Sequence, residues 1–253
     1  MSLTRPTYCY VFNRRKHQTM IDIRSFNQLG HANHGWLDAH HHFSFANYLD
    51  YERMGWGALR VWNDDTIAPG TGFGMHPHRD MEIITYVRQG AITHKDSLGN
   101  EGRTEAGDVQ VMSAGTGIFH SEYNHESIPT QIFQIWIIPT EGGHKPSWGT
   151  RHFPKDGQTD QFTILASGYA EDKDALPIHT DARVLGLTLQ KGQKTEYRLG
   201  KDRRGYLVPA TGSLFLNGQT VTTRSGAAIA NEETLSLEAL DDNTEIVLVD
   251  TAP

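Results

Sequence analysis

The sequence predicts an all-β protein built as two related β-barrel domains. Helical periodicity is scarce along its 253 residues. Short runs rich in β-branched and aromatic residues recur between Gly, Asn, Asp and Pro, the pattern of a sandwich or barrel. A faint internal repeat adds the second domain. Tyr86…Gly90 followed by Ala106-Gly107-Asp108 is matched by Tyr206…Gly212 followed by Ser225-Gly226-Ala227. In each copy a strand enters a turn, and a second Gly-centred turn follows after one hairpin. The polar stretch 148–161, with Gly149, Pro154 and Gly157, places the join between residues 1–150 and 151–253.

The expected strands follow in order. Residues 82–87 carry Ile83, Ile84, Thr85 and Val87 and stop ahead of Gly90. Residues 108–112 begin at the turn Glu105-Ala106-Gly107-Asp108, after an earlier turn at Leu98-Gly99-Asn100. Residues 132–138 form the longest apolar run, broken by Gln134. In the second half, 183–189, 205–208 and 245–249 repeat the pattern, with turns at Asn217-Gly218 and Asp241-Asp242-Asn243 between the last of them.

Composition excludes several classes. At 37% hydrophobic and 21% charged, the chain has material for a true core. No apolar run approaches the roughly 18 residues of a membrane span. The apolar stretch Tyr8 to Phe12 is short and precedes Arg14-Arg15-Lys16, the reverse of a secretory signal. Cys9 is the single cysteine, which removes intrachain disulfides and thiolate metal sites and suits a reducing cytoplasm. A net charge of −7 argues against direct nucleic-acid binding.

Two fragments carry chemistry: His76-Pro77-His78 and His120-Ser121-Glu122. On a strand, side chains two apart share a face at roughly 7 Å. Imidazole and carboxylate arms close that gap onto one ion. Two such strands side by side offer three His and one Glu with coordination positions left open, a set suited to Fe(II), with Mn, Cu, Ni or Zn as alternatives. The competing reading of each fragment alone is two polar residues on a solvated face. Gly70, Gly72 and Gly74 let the backbone ahead of His76 turn tightly or approach a ligand. Pro77 denies the ladder one donor and suits an edge strand. Gly115-Thr116-Gly117 lacks the Gly-Lys-[Ser/Thr] of a phosphate loop and reads as a kink that aims His120.

Other residues compete for the site or line it. Glu82 shares the phase of His78 but sits about 13 Å further along a regular strand. His40-His41-His42 reads as a packed segment beside Phe43 and Phe45, with His41 pointing opposite to its neighbours. His31 and His34 read as part of a Gly/Asn-rich loop with Trp36, and His94, His125, His144, His152 and His179 are scattered and single. Gln134 is a lone amide in an apolar run, so it either faces a cavity or is a satisfied core amide. Phe73 and Met112 lie near the ligand segments as an apolar wall or as ordinary core. No histidine follows His179, and the Tyr86–His76 offset applied to Tyr206 lands on Glu196, with cation-repelling Arg198 two further on. The second barrel therefore has no comparable site.

Gly70…His76-Pro77-His78…Glu82…Gly90 resembles the first cupin motif with one extra residue before its last Gly, and Gly107…His120 resembles the second with Ser113 in place of Pro and a longer spacing. Those departures, with residues 30–38, 43–48 and 113–124, resemble bacterial pirins from about Gly30 onward. The resemblance implies a bicupin: two jelly-roll barrels face to face with few short helices and one metal, usually iron, in the first. It implies His76, His78, His120 and Glu122 as ligands and Glu82 as a non-ligand. It further implies a quercetin 2,3-dioxygenase-like enzyme, opening a flavonol ring with O2 and releasing carbon monoxide. In such a reaction Glu122 would serve as general base if its metal bond is loose, and Phe73, Met112 and Gln134, picked out by phase and position, would lie against the substrate. The expected partners are a small aromatic molecule and O2, with a monomer in the cytoplasm. Eukaryotic relatives suggest the alternative of a metal- or redox-sensing regulator of a protein partner.

Overall fold

The computed structural model describes residues 19–152 and 160–253. Cys9, the N-terminal extension up to residue 18 and the middle of the expected linker lie outside them. Apart from one 3₁₀ turn, Phe26–Gln28, the described elements are strands. No helix among the described residues is long and apolar enough to cross a membrane.

The first half stacks two sheets. A seven-stranded sheet runs in the order Ser147–His152, Asp108–Ser113, Glu82–Gln89, Thr130–Ile137, Leu59–Ile67, Leu37–His41, Gly30–Asn33. A four-stranded sheet runs Gly72–His78, Ile118–Tyr123, Ala91–Asp96, Glu101–Glu105. Alternating side chains fill the space between, where Ile92 and Ile118 of the smaller sheet meet Val87, Ile132, Ile83 and Met112 of the larger.

The second half repeats this order except at one edge of the large sheet, where the last two strands pair parallel and in reversed chain order. Its larger sheet runs Met20–Arg24, Gly226–Ala230, Arg204–Pro209, Thr244–Thr251, Ala182–Leu189, Thr163–Ser167, Leu176–Pro177; its smaller runs Lys194–Arg198, Thr234–Ala239, Leu214–Leu216, Gln219–Val221. Tyr86 and Tyr206 therefore occupy equivalent central strands. The expected turns fall where their chemistry demands: Asn217 and Gly218 both adopt positive φ between the paired strands Leu214–Leu216 and Gln219–Val221.

One arrangement departs from sequence order. Met20–Arg24 precedes the first half yet pairs with Gly226–Ala230 of the second, while Ser147–His152 pairs with Asp108–Ser113 of the first. Each half thus lends its leading strand to the other's sheet, and a boundary drawn at 150/151 falls inside the Ser147–His152 strand.

The two large sheets press their outer faces together. Trp62, Tyr86 and Phe133 meet Tyr206, Val208 and Val247 in one cluster. Each such side chain, fully buried, contributes roughly 1.5–3 kcal/mol. Buried polar links also bind the faces: Asp64 is held by Arg88 and, across the divide, by Arg224 at 2.5 Å, and His42 Nδ1 lies 2.9 Å from the Tyr206 hydroxyl.

Candidate metal centre

The Gly72–His78 strand is the edge of the small sheet, which accommodates the donor-free Pro77. It pairs antiparallel with Ile118–Tyr123, setting His76 opposite His120 and Pro77 opposite Phe119. Between His120 and Glu122 the register slips, so that Glu122 faces Phe73. This bulge on the edge strand turns Phe73 onto the inner face, where it lines the cavity and meets Trp36 edge-on at 5.2 Å. Gly72 is required by close approach: a Cβ there would stand 2.2 Å from the Glu122 carbonyl oxygen. Gly115, at φ +45, makes the turn ahead of the second motif, and a Cβ would strike the His144 carbonyl at 2.1 Å.

His76, His78 and His120 converge, with ring centroids 4.5–5.0 Å apart and one nitrogen of each within 4.8 Å of the others. The hydrogen bonds select those nitrogens. His76 Nδ1 donates to the Gly74 carbonyl at 2.7 Å, on the bulge itself. That leaves its Nε2 lone pair free. His78 Nε2 and His120 Nε2 are buried and have no partner. Burial, with His120 and His76 beside it, pushes the His78 imidazole down to about 4. Burial, His76 and His94 push His120 down to about 3. Both rings are therefore neutral at pH 7. Three imidazoles presenting unpartnered lone pairs at this spacing fit a divalent cation bound at about 2.0–2.1 Å per nitrogen.

A further ring stands behind His120. His94 is fully buried, stacked on Trp148 at 5.0 Å and 9°. Its Nε2 lies 3.0 Å from Asp96 Oδ2, and its Nδ1 lies 3.4 Å from His120 Nδ1. Burial alone would raise the Asp96 carboxyl, but hydrogen bonds from His94, from Asn100 twice and from Leu98 hold it below the usual range. An ionised Asp96 only accepts, so His94 carries its proton on Nε2. His94 Nδ1 then accepts from His120 Nδ1–H, and His120 Nε2 is left as a lone pair facing the cluster.

Glu122 is 2% exposed and wrapped in donors. Gln110 Nε2 donates to Oε1 at 2.7 Å and Thr85 Oγ1 at 3.2 Å; Gln134 Nε2 donates to Oε2 at 2.9 Å. These donors come from one row of the large sheet, in which His41, Asn63, Gln134, Thr85 and Gln110 sit side by side on successive strands. The carboxylate also lies with His94 and His120 in a second group of nitrogens and oxygens within 4.8 Å.

All four expected ligand residues line one cavity of about 480 Å³, a size suited to a small organic ligand. Its other walls are largely apolar and aromatic: Phe45, Tyr48, Phe73, Ile83 and Trp136. Trp136 meets His78 edge-on at 5.0 Å and Phe45 edge-on at 5.5 Å.

Comparison with known proteins places the chain in one family. Residues 22–137 match the pirin family model, and residues 164–251 match the model for a quercetinase C-terminal cupin domain. A pirin-like protein of Caulobacter vibrioides is 62% identical over 92% of this chain and 100% of its own length. The chain belongs to the pirin family. Among other pirin relatives, the quercetin 2,3-dioxygenase of Escherichia coli K12 is 43% identical over 92% of this chain and 100% of its own. A crystal structure of the bacterial pirin YhhW from Escherichia coli, in complex with nickel(II), superposes with a TM-score of 0.86 at 43% identity, covering 92% of this chain and 100% of that one.

Not every expected residue of this pirin stands where the sequence suggested. Met112 is buried with Ile83, Ala114 and Ile118 and is not among the cavity-lining residues; its side chain packs the barrel interior. Glu82 faces away from the three imidazoles, taking a hydrogen bond from Ser113 Oγ, with His179 Nδ1 at 3.3 Å. Gln134 lines the cavity and also holds Glu122. Of the histidine triplet, only His41 lines the cavity, with its Nδ1 2.8 Å from Asn63 Oδ1; His42 turns toward Tyr206. Sequence reasoning missed His94, Asn63, Asp65, Thr85, Gln110 and Trp136. The polar triplet Asn63-Asp64-Asp65 within the strand Leu59–Ile67 was the available signal for two of them, by the logic that singled out Gln134.

Proposed function

We propose that this pirin is a metal-dependent dioxygenase that opens the central ring of a flavonol such as quercetin with O2 and releases carbon monoxide. The observation that carries the reading is the convergence of three unpartnered imidazole nitrogens and the hydrogen-bonded Glu122 carboxylate on an apolar, aromatic-walled cavity. His76, His78 and His120 would hold the ion, with Glu122 as the fourth ligand. Fe(II) leads on the chemistry of the donor set, and Mn, Cu, Ni and Zn are compatible with it. When bound, a divalent ion supplies positive charge that acidifies a hydroxyl ligated to it and, if redox-active, a route for electrons to O2.

The chain's own residues do the rest. Phe73, Phe45 and Trp136 offer flat apolar contact to an aromatic ligand and exclude water from it. Glu122 Oε2 accepts one hydrogen bond, from Gln134, and its remaining lone pair would either hold the ion or, with that bond loosened, take the proton of the flavonol 3-hydroxyl. Gln110 and Thr85 fix the other oxygen, so the base keeps its orientation as the proton arrives.

The test is oxygen uptake and carbon monoxide release from quercetin by iron-loaded protein. Both are expected to fall to background in His76→Ala. Carbon monoxide release no greater than that of the variant would refute the proposal.

A further inference from the structure

Asp65 is a cavity residue that neither the imidazole cluster nor the Glu122 cradle uses. It stands on the inner face of Leu59–Ile67, two residues beyond Asn63. Its cross-strand neighbours are Ala39 and Ile132, which offer no side-chain hydrogen bond. The side chain is 2% exposed, and its Oδ1 is buried with no partner. Yet it lines the same cavity as His76, His78 and Glu122.

A carboxyl in such a place weakens the fold, because burial without a hydrogen bond costs it the water it leaves. Packing therefore does not explain it; an aliphatic side chain of similar size would serve better. Burial, together with Asp64 and Glu122 nearby, drives the Asp65 pKa well above the usual carboxylate range. Burial thus favours the neutral form, which has an O–H to give, and the unpartnered oxygen is held against a cavity wall.

We propose that Asp65 is a second polar subsite of the cavity, separate from the three imidazoles, that donates a hydrogen bond to a peripheral oxygen of a polyhydroxylated aromatic ligand. The inference rests on the proposed substrate class and adds what selects among its members. The metal-side residues recognise the chelating hydroxyl–carbonyl pair common to flavonols. Asp65 would distinguish ligands that carry a further oxygen from those that do not, because a ligand lacking it leaves the buried carboxyl unpaired.

The experiment compares quercetin with 3-hydroxyflavone, which shares the chelating pair but lacks the other hydroxyls. Binding to nickel-loaded protein is measured by calorimetry without oxygen, for wild type, Asp65→Leu and Asp65→Asn. Asp65→Leu is expected to weaken quercetin about tenfold and 3-hydroxyflavone less than about twofold. Asp65→Asn, which keeps a donor, is expected to stay within about threefold of wild type for quercetin. The melting temperature of Asp65→Leu is expected to equal or exceed that of wild type. Equal effects of Asp65→Leu on both ligands, no effect on either, loss in Asp65→Asn matching that in Asp65→Leu, or a lowered melting temperature each overturns the inference and leaves the substrate reading standing. Binding of neither flavonol by wild type overturns both.

Discussion

His120 Nδ1 lies 3.4 Å from His94 Nδ1, and Asp96 on the far side of His94 decides which of the two nitrogens carries the proton. The metal-facing lone pair of His120 is thereby set by a carboxylate two side chains away. His94→Phe removes the acceptor and is expected to weaken nickel binding 10- to 100-fold, roughly the cost of losing an outer-shell partner. His94→Gln offers an oxygen to His120 and an amide proton to Asp96 and should recover most of that loss. Competition with a chelator of known affinity reads both variants; equal affinities in wild type and His94→Phe would refute the relay.

Metal-free protein should lose stability in acid. His78 titrates near 4 in the folded chain against 6.5 unfolded, so the unfolded state binds the extra proton between those values. The contribution of neutral His78 is fully present above pH 6.5 and is lost as pH falls toward 4, at up to about 1.4 kcal/mol per pH unit. In chelator-treated protein, urea unfolding from pH 7 to pH 4 is expected to show a shallower pH slope in His78→Gln than in wild type. Parallel slopes would contradict the neutral-imidazole assignment.

Arg224 reaches from the second half to the fully buried Asp64 of the first. Arg88 remains as a second partner in Arg224→Ala, so the cost is that of a weakened buried pair, about 2 kcal/mol. Arg198→Ala removes an exposed pair with Glu233 and should leave stability unchanged. Denaturant midpoints of the two variants decide whether the buried contact between halves outweighs the surface pair.

Gln134→Leu strips Glu122 Oε2 of its donor while leaving Gln110 and Thr85 on Oε1. The expected cost is about 1–3 kcal/mol of stability. Turnover of quercetin should fall more than its binding, because the amide orients the base. Loss confined to KM would assign Gln134 to substrate contact instead.

The amino-acid order alone determined the strand class, the turns at Gly107 and Asn217-Gly218, and the inward phase of His76, His78, His120 and Glu122. These are local properties: a strand repeats every two residues, and residues two apart share a face wherever the strand is placed. The doubling of the barrel was legible for a related reason, since Gly90 and Gly212, both at positive φ, follow equivalent strands; the second expected match fails, because Gly107 stands in a turn and Gly226 opens a strand. Tertiary structure decided which strand lies beside which. Only that pairing aligns Asn63, Gln134, Thr85 and Gln110 across four strands, carries Met20–Arg24 to the other half's sheet, and brings His94 behind His120. The bulge that turns Phe73 inward and the apolar flanks that leave Asp65 unpaired belong to the same level. Neighbours across a sheet are set by long-range register, and the free energy that chooses it is spread over the whole core and written in no single segment.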